Sequence, residues 1–182
     1  RTALNTSFDE IIHKKQTTTI PDLLSHFTEL YSSFSCEKDL FDYLNCNIAD
    51  SDPLYSHSIT VALLSRMLGE LNHMSQFDLE ALTLSALFHD IGKLRVKPEI
   101  LNKKDSITPQ EFRQIQRHTK DGYMMLKTVF TKDLRIASAA LMHHERFDGS
   151  GYPMGTVAEQ INEFARILAI TDVYAGMISK RD

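Results

Sequence analysis

Repeated helix-start signals are the feature of this sequence that most restricts its fold. Residues 108–111, Thr-Pro-Gln-Glu, form a complete capping box with proline at the first helical position. Residues 52–53 (Asp-Pro) and 19–21 (Thr-Ile-Pro) likewise place a capping side chain one and two residues before a proline. Period-two alternation of β-branched residues, which is typical of strands, is nearly absent. The sequence therefore predicts an all-α protein.

The periodicity of the apolar residues sets the expected helices. We expect them near 21–33, 36–49, 53–73, 76–89, 109–117, 120–130, 132–144 and 163–180. Residues 145–156 resist helix assignment because they concentrate three of the seven glycines, and each glycine weakens a helix by roughly 1 kcal/mol. A turn-rich loop between two apolar helices is often functional, so this loop is a candidate part of a site.

Composition narrows the class of protein. With 42% hydrophobic and 24% charged residues, the chain has the profile of a soluble globular protein. No apolar run approaches the roughly 18 residues of a membrane span. Residues 1–56 carry 4 basic and 9 acidic side chains and residues 57–182 carry 16 and 15, so neither part is a basic stripe that would bind polymeric nucleic acid. Cys36 and Cys46 lack a CxxC spacing; they could pair, but we interpret them as partly buried intracellular thiols, which favours a cytoplasmic protein.

The N-terminal part of the chain differs from the rest. Residues 1–52 are acidic and lack glycine, and we interpret them as a helical extension that packs on the main domain or dimerises. The alternative is part of a sensory or regulatory module. Because the chain begins at Arg1 rather than Met and stops inside a charged segment at Asp182, we expect it to be part of a longer protein.

Seven histidines and aspartates lie where apolar residues are expected, on or at the end of buried helix faces. They are His57, His89, Asp90, His118, His143, His144 and Asp172. Taken singly, each has a plain structural explanation, such as a core histidine bonded to a backbone carbonyl or Asp172 paired with Arg166. Together they would cost roughly 1–3 kcal/mol each if unsatisfied, which is severe for so small a core. The pattern indicates that they satisfy one another through metal ions.

The types of donor restrict the metal. Imidazoles and carboxylates without thiolates suit Fe, Mn, Zn or Ni. His143 and His144 lie about 100° apart if both are helical, so their imidazoles can face two different ions. An aspartate at a helix end can bridge such a pair of ions. The residues alone therefore predict a site for divalent metal and leave the element open.

The same residues carry a family resemblance. His57, the His-Asp-Ile-Gly-Lys run at 89–93, His118, the His-His-Glu run at 143–145 and Asp172 follow one another in this order. The ordered set resembles the HD-domain superfamily of metal-dependent phosphohydrolases. An isolated His-Asp pair would be a weak signal, whereas the complete set is specific.

The glycine-rich loop narrows the resemblance to the HD-GYP subfamily. Residues 146–153 read Arg-Phe-Asp-Gly-Ser-Gly-Tyr-Pro, and the stretches 98–103 and 165–173 agree with the same subfamily. The resemblance covers about residues 53–182 and marks them as a catalytic domain that continues past the end of the chain. It implies a helical bundle around two or three metal ions, commonly iron or manganese. The implied reaction is hydrolysis of the bacterial second messenger cyclic di-GMP to linear pGpG, to GMP, or to both.

The resemblance also implies a role for each matched residue. The implied metal ligands are His57, His89, Asp90, His118, His143, His144 and Asp172, with Asp90 as the bridging carboxylate. Lys93 matches a lysine that meets the scissile phosphate, and Arg181 matches an arginine that binds substrate phosphate. Gly151, Tyr152 and Pro153 match residues that shape the rim of the site. In this reading, a hydroxide that bridges two cations attacks phosphorus while Lys93 neutralises the phosphate charge.

Two positions depart from the subfamily. Some members carry a metal-binding glutamate one turn before the first histidine, and this chain has Pro53 there, so we expect two metal ions. The acidic residue that some members carry three positions after the metal aspartate is Ala175 here, so one substrate contact is lost or replaced. A further basic residue, expected a few positions past Arg181, lies beyond the end of the chain. Substrate affinity is the property most affected.

Other functions stay open on sequence alone. One is a signalling module that binds a cyclic dinucleotide without cleaving it, although a pure binder needs no set of seven ligands. Another is hydrolysis of a different phosphoester, such as a cyclic GMP-AMP dinucleotide or a nucleotide monophosphate. Tyr152 is either a loop aromatic that packs on Pro153 or a platform on which guanine stacks. A homodimer and an upstream sensory domain are the partners considered besides the substrate.

Overall fold

The computed structural model of the protein describes residues 2–14, 18–47 and 53–178, and its regular elements there are all helical. The α-helices are α1 (Thr2–Asp9), α2 (Ile20–Ser32), α3 (Glu37–Asn47), α4 (Pro53–Leu71), α5 (Gln76–Phe88), α6 (Pro98–Leu101), α7 (Pro109–Leu126), α8 (Arg135–Met142) and α9 (Glu163–Ile178). A π-helical turn (Glu10–Lys14) and two 3₁₀ turns (Ile91–Arg95 and Ala158–Gln160) lie between them. No strand occurs in these ranges, and the predicted all-α class is confirmed.

Helix α7 is continuous where the sequence predicted two helices. It passes without interruption through residues 118–119, where a break was expected. The predicted capping box is present, since the Thr108 side chain accepts from the Glu111 N–H and the Glu111 side chain accepts from the Thr108 N–H. His118 and Thr119 are buried, so packing against the rest of the bundle keeps these weak helix formers helical.

Helix α8 is shorter than predicted. It begins after Asp133, whose carboxylate accepts a hydrogen bond from the Arg135 N–H, and it ends at Met142. His143 and His144 consequently lie in the turn that follows the helix rather than inside it. Helix α1 was not predicted, because no capping signal marks it in the sequence. The helix cap expected at Asp52 lies outside the described residues.

Helix α5 lies at the centre of the bundle. Its residues 81–88 are all buried, as its all-round apolar sequence predicts. Helices α4 and α8 pack on α5, α9 packs on both of them, and α7 packs on α8 and on the 3₁₀ turn Ile91–Arg95. The chain leaves α5 at Phe88, so the next two residues emerge inside the protein rather than at its surface. None of the described helices has both the length and the apolar character that a bilayer crossing requires.

The N-terminal segment packs on this bundle. Phe8 is 1% exposed, and its ring centroid lies 5.2 Å from that of Tyr55 and 5.3 Å from that of Phe88. Phe27 of α2 and Leu40 of α3 belong to the same hydrophobic cluster. The cluster therefore joins helices on both sides of residue 52, and the domain boundary expected there stays a prediction.

Replacing Phe8 with leucine is expected to lower the free energy of unfolding by about 1–1.5 kcal/mol, because the smaller side chain leaves the ring cluster underpacked. Urea unfolding followed by circular dichroism should show one transition, shifted to lower denaturant. Phe147→Leu is the matched control, since Phe147 is 68% exposed, and its midpoint should not move. An unshifted transition in Phe8→Leu would show that the N-terminal segment is uncoupled from the bundle.

Candidate metal centre

Asp90 lies at the centre of a cluster of histidines. It follows α5, is 1% exposed, and directs its two carboxylate oxygens to different histidines. Oδ2 lies 3.2 Å from His89 Nε2 and 3.8 Å from His57 Nε2. Oδ1 lies 3.2 Å from His118 Nε2 and 3.8 Å from His143 Nε2. One buried carboxylate thus separates two pairs of imidazole nitrogens.

Backbone carbonyls orient three of these imidazoles. Each Nδ1 lies within hydrogen-bond distance of the carbonyl oxygen three residues earlier in the chain: Ala86 for His89 at 2.7 Å, Ile115 for His118 at 2.7 Å and Ala140 for His143 at 2.9 Å. Because a carbonyl oxygen can only accept, Nδ1 carries the proton in each bond. In the neutral ring, the lone pair is then on Nε2, which faces the carboxylate. Such second contacts are typical of metal-binding histidines.

The buried polar atoms of this cluster fit a bound cation. His118 Nε2 and His143 Nε2 lie 3.3 Å apart, so two neutral rings with protonated Nδ1 atoms would direct lone pairs at each other. His89 Nε2 and Asp90 Oδ1 are buried and make no well-aligned hydrogen bond to any described residue, despite their close neighbours. Leaving such groups unsatisfied is costly, and a cation among them removes that cost.

Asp172, on α9, is the second carboxylate in contact with these histidines. Its Oδ1 lies 2.9 Å from His57 Nε2 and 3.9 Å from His89 Nε2, and its Oδ2 lies 4.0 Å from His144 Nδ1. Asp172 is therefore engaged with histidines, and not with Arg166 as its plain structural explanation supposed.

The donors form two groups that share Asp90. The first is His57, His89 and Asp90, and the second is Asp90, His118, His143 and His144. Within each group, the ligand atoms all lie within 4.8 Å of one another, which allows a single ion to contact them. The structure thus brings together all seven residues that the sequence singled out as ligands.

Burial determines the charge of two of the histidines. It lowers the pKa of His143 well below the ordinary value, and positive charge at His144 would lower it further. Burial likewise lowers the pKa of His144 to about 4, with His118 acting in the same direction. Both rings are therefore neutral at pH 7, which is the state that binds metal. At His89 burial also lowers the pKa, but the adjacent Asp90 carboxylate outweighs it and the pKa is raised, so this position attracts positive charge.

The two aspartates stay ionised although they are shielded from water. Burial opposes ionisation of Asp90, but His89 and then Lys93 outweigh it and hold its pKa well below the ordinary value. Burial also opposes ionisation of Asp172, whose pKa is nevertheless lowered by the hydrogen bond from His57. Lys93 donates to Asp90 Oδ2, and this carboxylate raises the lysine's pKa against the effect of burial. The centre therefore combines two carboxylates with one fixed ammonium group.

A groove of about 1250 Å³ opens onto one side of the centre. Its polar lining includes the charged and imidazole side chains of His57, Asp90, Lys93 and Asp172, together with Asn102. Its walls include the apolar side chains of Leu94, Leu101, Val173 and Met177. Anionic and apolar parts of one ligand could therefore be bound side by side, the anion next to Lys93.

The glycine-rich loop lies beside His144 rather than in this groove. The Tyr152 N–H donates to the His144 carbonyl oxygen at 3.2 Å, and the Tyr152 ring stacks on the His144 imidazole with centroids 4.7 Å apart. A side chain at Gly151 would place its Cβ 2.4 Å from the Arg146 nitrogen, so only glycine lets the loop fold back this tightly. Tyr152 thus has a third environment that neither sequence interpretation foresaw, and the rim role of Gly151, Tyr152 and Pro153 stays a prediction.

Glu145 holds this loop in place, a role that the sequence analysis missed. It is 2% exposed, and its two carboxylate oxygens accept hydrogen bonds from the Met154 N–H at 2.8 Å and the Thr156 N–H at 3.1 Å. The sequence showed Glu145 only as part of a motif. One sequence signal could have indicated this role. Glu145 directly follows two inward-facing histidines and directly precedes a loop whose many backbone N–H groups need hydrogen-bond acceptors.

Replacing Glu145 with glutamine is expected to loosen the loop, because the amide can accept from only one of the two N–H groups. The loss of one such bond at a buried site should lower the free energy of loop opening by about 1–3 kcal/mol. Trypsin cleavage after the exposed Arg146 should then be about tenfold faster than in the unchanged protein. Glu159→Gln changes an exposed residue that follows the same loop and should leave the rate unaltered. Equal cleavage rates in the two variants would contradict the anchoring role.

Three further positions that the sequence singled out are Pro53, Ala175 and Arg181. Pro53 begins α4, one turn before His57, and its side chain is outside the described set. Ala175 is fully buried and does not line the groove. Arg181 lies outside the described residues, so its substrate-binding role stays a prediction.

Comparisons with known proteins identify the family of this chain. A family model described as an HD domain matches residues 43–182. A cyclic di-GMP phosphodiesterase of Pseudomonas aeruginosa is 38% identical over 127 residues, which is 70% of this chain and 31% of that protein. A 3′3′-cGAMP-specific phosphodiesterase of Vibrio cholerae is 38% identical over 140 residues, which is 76% of this chain and 32% of that protein. The chain thus spans about a third of the length of these relatives.

The fold has a counterpart among solved structures. An HDG"Y"P protein from Bdellovibrio bacteriovorus superposes with a TM-score of 0.79 at 18% identity. The superposition covers 98% of this chain and 58% of that one. At this identity, the likeness concerns the fold alone, and it extends over the N-terminal helices as well as the bundle.

Proposed function

The chain belongs to the HD-domain family, and from this premise we propose that it is a metal-dependent phosphodiesterase acting on a cyclic dinucleotide. The proposed substrate is cyclic di-GMP, and the proposed products are linear pGpG, GMP, or both. Since cyclic di-GMP is a bacterial second messenger, we also propose a cytoplasmic location.

The observation that carries the proposal is the position of Asp90 between two groups of imidazole nitrogens. We propose one divalent ion bound by His57, His89, Asp90 and Asp172, and a second bound by Asp90, His118, His143 and His144. Iron or manganese is proposed first, and zinc or nickel also suits nitrogen and oxygen donors. When bound, such ions supply Lewis-acid activation of water and charge neutralisation at phosphorus.

The other residues of the centre bind and position the substrate in this proposal. Lys93 holds its ammonium group at the edge of the groove, where it can meet a non-bridging phosphate oxygen. The ion pair with Asp90 fixes that position before substrate arrives. Arg181, Gly151, Tyr152 and Pro153 keep the substrate-binding roles that the sequence predicted for them, as proposals.

Cyclic GMP-AMP is the second candidate substrate. Relatives named for cyclic di-GMP and for 3′3′-cGAMP match this chain at the same identity of 38%, so identity does not separate the two. A binding module without hydrolysis is less well supported, because all seven donor side chains needed for metal are present and converge.

The test is anaerobic incubation of iron- or manganese-loaded protein with cyclic di-GMP and, separately, with cyclic GMP-AMP. Products are separated by chromatography, and metal is counted per chain. We expect pGpG or GMP together with about two metal ions per chain, and no product after chelation. Two ions per chain with neither dinucleotide cleaved would refute the phosphodiesterase, and tight binding without cleavage would favour the signalling module.

A further inference from the structure

Gly176 occupies an unusual position in helix α9. It lies in the last turns of Glu163–Ile178, where glycine is a weaker helix former than alanine. A Cβ built there would meet no heavy atom within 4 Å among the described residues, its own helix backbone and chain neighbours aside. Folding of the described chain therefore gives no reason for a residue without a side chain at this place.

Other glycines of the bundle do have such a reason. A Cβ at Gly69 would lie 2.7 Å from Leu79 Cδ2, and one at Gly92 would lie 1.9 Å from the His118 carbonyl oxygen. In both cases a neighbouring part of the protein occupies the space. At Gly176 the corresponding space belongs to the groove beside the metal centre.

The surroundings of Gly176 suit a flat apolar group. Asp172 lies four residues earlier on the same helix face, about 6 Å along the axis, so Gly176 is one turn from the centre. Val173 and Met177 of the same helix also line the groove and are 43% and 77% exposed, and Leu94 and Leu101 of the same groove are 43% and 39% exposed. Large apolar side chains that remain exposed around a bare stretch of helix backbone are typical of a binding surface.

We propose that Gly176 is a specificity-determining residue, and that one purine base of the cyclic dinucleotide lies flat against the α9 backbone there. This inference rests on the proposed function and adds a base-binding position to it. The scissile phosphate is then held beside Lys93, while the base packs over Gly176 and against Val173 and Met177. A side chain at position 176 would occupy the space that the ring needs.

The test compares two phosphodiesters in the metal-loaded chain. Cyclic di-GMP carries purine bases, whereas methyl 4-nitrophenyl phosphate carries none. Gly176→Leu is expected to raise KM for cyclic di-GMP at least tenfold, because the leucine fills the base position. The kcat/KM for the base-free diester should change less than about twofold, and the metal content should not change. Gly176→Ala should raise KM by a smaller factor and raise Tm by about 2–4 °C, because alanine is the better helix former.

Arg166→Leu is the matched control, since it adds leucine to an exposed position of the same helix that does not line the groove. It should leave both diesters unaffected. An unchanged KM for cyclic di-GMP in Gly176→Leu, or in Gly176→Ala if the leucine variant does not fold, overturns the inference while the proposed function stands. An unchanged protein that cleaves the base-free diester but no cyclic dinucleotide overturns both.

Discussion

Replacing Asp90 with alanine is expected to abolish metal loading and hydrolysis together. The two oxygens of Asp90 serve both groups of donors, so its loss removes a ligand from each proposed ion. Metal content should fall from about two ions per chain to less than one. Cleavage of cyclic di-GMP should fall by at least about 10³-fold, the equivalent of roughly 4 kcal/mol of transition-state stabilisation.

Two further variants separate the loss of metal from a loss of structure. Asp90→Asn keeps the shape of the side chain and removes its charge, so it should fold normally and still lose metal. Asp105→Ala removes an exposed carboxylate and should change neither property. Circular dichroism checks the fold, and metal analysis after desalting checks the loading. Retained turnover in Asp90→Ala would eliminate the proposed metal mechanism.

Replacing Gly92 with alanine should have the largest effect on the fold. The added Cβ would lie 1.9 Å from the His118 carbonyl oxygen and 2.7 Å from the Gly122 nitrogen. These are backbone atoms of α7, which cannot rotate away as a side chain can, so the 3₁₀ turn and α7 must separate. We expect a loss of about 3 kcal/mol or more in the free energy of unfolding. Because the turn follows Asp90 directly, metal affinity should fall as well.

Gly122→Ala provides the matched control from the other side of the same contact. Its Cβ would lie 3.5 Å from the Gly92 nitrogen and 3.7 Å from Ala140 Cβ, which are ordinary contact distances. Since Gly122 lies inside α7, alanine should leave the stability unchanged or raise it by up to about 1 kcal/mol. Urea unfolding measures both variants. A Gly92→Ala protein as stable as the Gly122→Ala protein would disprove the close contact.

Periodicity made the ligand set predictable from the sequence. A buried helix face tolerates few polar groups, so His57 and Asp172 could be recognised as exceptions among the apolar residues that share their helix faces. For the same reason, the site could be predicted as a set of inward-facing residues. The contact between His57 and Asp172 could not be predicted, because periodicity shows which face of a helix is buried but not which residues pack against that face.

The features that the sequence did not predict correctly have local physical causes. Helix α7 continues through His118 because tertiary packing outweighs the weak helix propensity of His118 and Thr119. Propensity scales do not include such packing, so the sequence could not show it. His143 lies just past the end of α8, where a two-residue difference in the position of the helix end is invisible to the pattern. Glu145 could not be assigned because its partners are backbone N–H groups of Met154 and Thr156, whose positions depend on how the loop folds.

The span between His57 and Asp172 has a consequence for biosynthesis. The two side chains are 115 positions apart and meet at 2.9 Å. A ribosome therefore releases most of the domain before the donor from α9 exists, and a nascent chain that ends within α8 holds only part of the set. Binding of both proposed ions therefore has to follow translation of α9. A cell would accordingly supply the proposed metal only after residue 172 has been translated.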